Sequence, residues 1–305
     1  MIACVFPGQG SQYVGMGQEL YDQFAAAKDV FDEANDVVGF DLAKLCFEGD
    51  QRELSLTVNA QPALLTTSIA AFRVLNSEKG LEPDFVAGHS LGEYTALVVN
   101  GAISFKDAVH SVRKRGEFMQ DAVPVGIGAM AAVLGLDSGQ VDEICKQVSQ
   151  NGNAASPANL NAPGQTVISG NKEAVERASD IAKSSGAKRV VPLDVSAPFH
   201  CSLMKPAAEK LSEILDHVQF NEMSVPVVTN CNAALTNDPS KLKGLLIDQV
   251  TSPVRWFESV ETLHKLHCTR FIEVGPKNVL AGLIKRTVSD VSVNNFEKSA
   301  HLESI

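Results

Sequence analysis

The stretch Asp84-Phe-Val-Ala-Gly-His-Ser-Leu-Gly-Glu-Tyr-Thr-Ala-Leu-Val-Val-Asn100 holds an apolar run at 84–87, a Gly88-His89-Ser90-Leu91-Gly92 turn and a helical segment at 91–100. A G-x-S-x-G between a strand and a helix predicts a sharp elbow. The flanking glycines let the backbone turn, the serine hydroxyl projects at the carboxyl edge of a sheet, and the next N–H is left free for an oxyanion. Chance alone produces the pattern in about one chain in ten of this size at ordinary glycine and serine frequencies. Its placement between strand and helix is therefore what makes Ser90 a candidate nucleophile.

Outward from the elbow, apolar runs alternate with amphipathic ones at 2–6, 16–34, 62–76, 84–87 and 91–100, which predicts an α/β layer fold with a largely parallel sheet. The middle of the chain changes character. A strand at 126–136, a helix at 138–149, extended pieces at 154–159 and 165–169, a helix at 172–185 and a strand at 189–195 give the order β-α-β-β-α-β. That order predicts a small ferredoxin-like sandwich. Strand and helix signals then resume, with helices at 205–217 and 254–266 and strands at 225–228 and 270–274. The expected organisation is a large domain of residues 1–124 and 197–305 with an inserted small domain of 125–196. The polar end, 294–305, is expected to fray.

With 305 residues, 45% of them hydrophobic and 20% charged, the chain can bury a core of ordinary size and disorder is excluded as its theme. The formal charge of −10 repels phosphate backbones and anionic lipid surfaces, so neither nucleic acid nor membrane is an expected partner. Six cysteines without C-x-x-C spacing suggest free thiols in a reducing, cytoplasmic setting. The longest nearly apolar stretch, 126–136, is short of the ~20 residues that span a bilayer.

A nucleophilic serine needs a base. Of the seven histidines, His89 adjoins the serine and points away from it, His110, His217, His264 and His267 belong to helical stretches, and His301 lies in the tail. His200, in Ser196-Ala-Pro-Phe-His-Cys-Ser202, sits on a loop where a base can be aimed, and it follows the serine in chain order. Residue type and position leave it open between base and ordinary loop histidine. Arg115 falls on the apolar stripe of Phe105, Ala108, Val109, Val112 and Met119, so its guanidinium faces inward. It either pairs with an internal carboxylate or lines a pocket for an acidic ligand. Gly8-Gln9-Gly10-Ser11-Gln12 lacks the third glycine of a dinucleotide loop, Tyr13 standing there, and reads instead as a turn presenting N–H groups near the elbow. No metal site is expected, since His264, His267 and Cys268 straddle a helix end.

Taken together, Phe6-Pro-Gly-Gln-Gly-Ser-Gln12, Gly88-His-Ser-Leu-Gly-Glu93, Arg115-Gly-Glu-Phe-Met119, Asn161-Ala-Pro-Gly-Gln165, Pro198-Phe-His-Cys201, Gln249 with Pro253-Val254 and Trp256, and Glu273-Val-Gly-Pro276 resemble the malonyl-CoA:acyl carrier protein transacylases of bacterial type II fatty acid synthesis. The resemblance covers essentially the whole chain. It implies a large domain related to the α/β hydrolases beside a small ferredoxin-like one, and malonyl transfer from coenzyme A to the phosphopantetheine thiol of acyl carrier protein by a ping-pong route. It further implies Ser90 as nucleophile, His200 as general base, the Gln9 and Leu91 amides as oxyanion hole, Arg115 as ligand of the malonyl carboxylate, and the Gln249 carbonyl as the group orienting the histidine. Asn159, Asn161 and Met119 are implied as pocket positions, no cofactor is permanently bound, and a monomer is the family default. Two stretches depart from the family pattern: Gly275-Pro-Lys-Asn-Val-Leu280 stands where Gly-Pro-Gly-Lys-Val-Leu is frequent, and Phe199 where a serine is common. The competing readings are a stand-alone acyltransferase of polyketide synthesis, a serine esterase or thioesterase with Asp194 as a conceivable third triad member, and a non-enzymatic binding module, which rapid acylation of Ser90 by malonyl-CoA would discard.

Overall fold

The computed structural model describes residues 1–124, 126–150 and 152–305. The expected domain boundary at residue 125 lies outside the described residues. Among the described residues ten strands form two sheets: β1 (Ile2–Phe6), β2 (Phe85–Gly88), β3 (Gly128–Leu134), β4 (Ala155–Ala162), β5 (Gln165–Asn171), β6 (Arg189–Pro192), β7 (Val227–Val228), β8 (Leu235–Thr236), β9 (Arg270–Val274) and β10 (Ser292–Phe296). Five helices precede β2: α1 (Gln18–Gln23), α2 (Ala25–Val38), α3 (Leu42–Glu48), α4 (Gln51–Ser55) and α5 (Thr57–Lys79). The rest are α6 (Leu91–Val99), α7 (Phe105–Asp121), α8 (Ser138–Val148), α9 (Lys172–Ser184), α10 (Lys205–Leu215), α11 (Pro239–Thr251), α12 (Trp256–Lys265) and α13 (Val279–Thr287).

The larger sheet has the order β10-β9-β1-β2-β7-β8 and is parallel except for β8. Its central strands β1, β2 and β7 are apolar on both faces because helices cover both. In β1, Cys4 and Phe6 enter a core with α2, α5, α6, α7 and α10, whereas Ala3 and Val5 enter a second core with Trp256, Val260, Leu280 and Ile284 of α12 and α13. The register Phe6↔Gly88 aligns the carboxyl ends of β1 and β2, so the loops that follow both strands open at one edge.

The smaller sheet is antiparallel, order β4-β5-β3-β6, with α8 and α9 on one face. Ala131, Val133 and Ile168 pack against those helices, while Met130, Ala158 and Val167 join the core of the parallel sheet. Two backbone bonds fasten β4 to the segment before α12: Val254 N–H to the Ala158 carbonyl and Leu160 N–H to the Val254 carbonyl, both 2.8 Å.

Three expectations change. The end is ordered instead of frayed: β10 pairs in register with β9, and the 3₁₀ turn Ser299–Ser304 is tied to it through Asn294. Backbone pairing supplies what its polar side chains do not advertise. The apolar stretch 16–34 breaks at Phe24, which ends α1 and starts α2 in an extended conformation. Helix α5 begins at Thr57 and runs through Pro62; the proline has no N–H for the Val58 carbonyl, which accepts from Arg113 at 3.1 Å instead. Among the described residues no helix is long and apolar enough to cross a membrane.

Candidate active site

The elbow forms because three backbones meet there at distances only glycine permits. A Cβ on Gly88 would lie 1.9 Å from the Gly92 carbonyl oxygen, and one on Gly92 would lie 2.0 Å from that of Phe6. Between them Ser90 is held at φ 52°, ψ −104°, a conformation costing on the order of 1–3 kcal/mol. The buried carboxamide of Asn230, just after β7, braces it. Its Oδ1 accepts from Ser90 N–H and its Nδ2 donates to the Gly88 carbonyl, each at 2.7 Å.

His200, also at positive φ (58°), is buried on the loop before α10. Its Nε2 lies 2.8 Å from Ser90 Oγ and its Nδ1 2.8 Å from the Gln249 carbonyl. A carbonyl only accepts, so Nδ1 carries the proton and Nε2 presents a lone pair to the serine hydroxyl. Gln249 can lend that carbonyl because it sits in the last turn of α11, where helical carbonyls lack intrahelical partners. Burial, and then the charge of Arg115, push the His200 imidazole down to about 3, which keeps it the free base at neutral pH. Asp194 is exposed at the cleft rim, and the ring nitrogen a triad acid would need is already bonded to Gln249.

Arg115 is 1% exposed on α7. It donates to Gln61 Oε1 (2.7 Å), Gln249 Oε1 (2.9 Å) and Ser90 Oγ (3.0 Å), and its guanidinium carbon lies 5.7 Å from the centre of the Tyr94 ring. These hydrogen-bond partners are all neutral and Nε has none. Of the two sequence readings, the geometry favours a guanidinium facing a pocket: a cleft of ≈ 430 Å³ bordered by Gln9, Ser90, Leu91, Arg115, Met119 and Asn159. Among the described residues, the Gln9 and Leu91 amides donate to no protein acceptor, so both are available to a developing oxyanion. Phe199 and Met130 also face the cleft. Asn161 stands one step back, its Oδ1 accepting from His89 Nε2 at 2.9 Å. Lys277, at φ 64°, occupies the left-handed region that suits a glycine, and Asn295 Nδ2 holds its carbonyl at 2.6 Å.

Sequence reasoning missed Gln61, Asn230, the Glu93 carboxylate and the Gln249 side chain. Glu93 Oε2 accepts from Gln249 Nε2 (2.8 Å) and from Asn230 N–H (3.0 Å). Gln61 had a signal, a long polar side chain in a helix buried nearly all round; Asn230 had none, since it acts across 140 residues of chain.

A serine on a strand-to-helix elbow, a neutral histidine behind it and two free amides in front define an apparatus for acyl transfer, and the chain belongs to the acyl transferase domain family, which it matches over residues 3–302. It is 56% identical over 285 residues to the malonyl CoA-acyl carrier protein transacylase of Bacillus subtilis, covering 93% of this chain and 90% of that one. A crystal structure of an acyl carrier protein S-malonyltransferase from Vibrio cholerae superposes with TM-score 0.96 at 47% identity, covering 99% of both chains. A malonyl-transacylase in complex with its type II PKS acyl-carrier protein matches with TM-score 0.96 at 46% identity, over 99% of this chain and 98% of that one.

Proposed function

We propose that the protein is a malonyl-CoA:acyl carrier protein transacylase supplying fatty acid synthesis, and that Ser90 carries the malonyl group between the two thiols. The observation that carries the reading is Ser90 Oγ itself, 2.8 Å from a neutral histidine and 3.0 Å from a buried arginine. Ser90 Oγ attacks the thioester carbonyl as its proton passes to His200 Nε2, and the Gln9 and Leu91 amides hold the oxyanion. The C–S bond breaks, and coenzyme A leaves as a thiol with the proton from His200. The phosphopantetheine thiol then gives its proton to His200 and attacks the malonyl ester; the ester C–O bond breaks and Ser90 Oγ takes the proton back from His200. Arg115 pairs with the free malonyl carboxylate; an acetyl group leaves it unpaired, the strongest basis for rejection. Met119 and Asn159 shape the pocket and Asn161 supports it through His89. The chemistry calls for no resident cofactor.

The strand order β4-β5-β3-β6 supports a ferredoxin-like identity for the small unit, inserted at 125–196 into an α/β-hydrolase-like domain of 1–124 and 197–305. For the acidic carrier we propose the exposed pairs Lys188-Arg189 and Lys285-Arg286. Arg189 registers with Leu134 and Leu134 with Gln165, whose Oε1 accepts from Arg286 at 2.8 Å, so both pairs share one rim. Charge reversal at both pairs should weaken carrier affinity; unchanged affinity excludes them. A monomer in a reducing cytoplasm completes the proposal, supported by six unpaired cysteines.

Intact mass after mixing with malonyl-CoA tests the core reading. A malonyl adduct on the wild type, absent in Ser90→Ala and much weaker with acetyl-CoA, is expected. Steady release of coenzyme A without an adduct would instead make the protein a thioesterase, a reading the Gln249 carbonyl in the acid's position disfavours.

A further inference from the structure

Glu93 lies in the first turn of α6, three residues beyond the nucleophile, and is 1% exposed. None of the mechanism above uses it. Its Oε2 receives Gln249 Nε2 at 2.8 Å, and the same nitrogen donates to the Ser90 carbonyl at 3.0 Å. The other end of that amide, Oε1, receives Arg115 at 2.9 Å. The amide thus stands between a group that only accepts and a group that only donates, and only one of its two orientations bonds both. An ionised Glu93, together with the Ser90 carbonyl on the same nitrogen, imposes that orientation; a neutral group able to donate as well as accept weakens the hold, and an amide that turns points its NH₂ at the guanidinium.

We propose that Glu93 is a positioning residue for acyl selectivity: through the Gln249 amide it fixes the acceptor that aims Arg115 at the pocket, so the preference for a free carboxylate depends on a carboxylate that never touches substrate. The proposal rests on the malonyl-transfer reading. Burial pushes the Glu93 carboxyl up to about 7, and the bonds from Gln249 and Asn230, with the charge of Arg115, hold it down against that push. The donors gathered around it favour its charged form and burial opposes them, with burial the larger effect.

The test is the ratio of malonyl to acetyl loading of Ser90, measured by rapid-quench intact mass. In Glu93→Gln the ratio is expected to fall at least tenfold, while Glu93→Asp, which keeps the charge, retains more of it. Gln249→Met removes the amide and keeps the carbonyl that orients His200; it should lower the ratio similarly, and the double variant should lower it no further. If Glu93→Gln does not fold, Gln249→Met carries the same expectation alone. Parallel loss on both substrates, or additive losses in the double variant, overturns the proposal and leaves Glu93 a brace of the elbow. Failure of the wild type to load malonate at all would instead strike the underlying reading.

Discussion

The two sheets meet across one cleft and are built on opposite terms. Among the described residues, every non-glycine at positive φ, Ser90 and His200 included, belongs to the parallel-sheet region; in the stretch from β3 to β6 that conformation falls only to Gly135, Gly152, Gly164, Gly170 and Gly186. The parallel region also buries Arg115, Glu93, Gln61, Asn230 and Gln249 in one polar network. The antiparallel unit packs Ala131, Val133, Ile168, Val141 and Ala178 and lends the cleft side chains such as Met130 and Asn159. Two of those strained residues, Ser90 and His200, and the buried polar network stand together at the cleft, and a conventionally packed unit supplies its wall.

The contrast can be broken most severely at Gly92. Gly92→Ala puts a methyl group against the Phe6 carbonyl, and a loss of at least about 3 kcal/mol is expected in urea unfolding; an undisturbed, active variant would show that the elbow is not tightly fixed. Next comes Arg115→Gln, for which malonyl loading should fall about 10²- to 10³-fold with acetyl loading spared. Equal losses would remove its role in selection. The same variant sharpens the pH behaviour. With His200 held near 3, wild-type acylation should show no histidine limb between pH 5 and 8. Removing the positive charge raises the imidazole, so an acid limb should move upward, toward neutrality. A limb that stays put would exclude the Arg115 charge as a cause and leave burial as the main one.

On the antiparallel side effects should be milder. Met130→Ala widens the cleft wall and should raise KM several-fold with kcat nearly constant, at a stability cost of about 2 kcal/mol; a collapse of kcat would place chemistry in that sheet. Smallest is Asp137→Ala, which removes the reciprocal cap between Asp137 and Gln140 at the start of α8. About 1 kcal/mol of stability should go, with loading unchanged.

The alternation of runs and the elbow were legible because they are local: 84–92 states strand, turn and helix in nine letters. Arg115 was legible as inward-facing through helical period, yet its partners were not, since Gln61 and Gln249 come from α5 and α11. His200 stood out by loop context, and only the family resemblance lifted it above a bland alternative. Asn230 and Glu93 were illegible as machinery because a side-chain amide bond across distant segments leaves no periodic trace. The ordering of 294–305 escaped for a related reason: β10 is held by backbone bonds to β9, which side-chain polarity does not report.

The route of the chain through the cleft also sets a timetable. Ser90 leaves the ribosome well before His200, and the carbonyl that fixes the histidine's tautomer arrives only with Gln249. The central strand β1 waits longer still for its neighbour β9. Such distant pairing is slow to nucleate, and until Gln249 has been made the serine has no base oriented by that carbonyl.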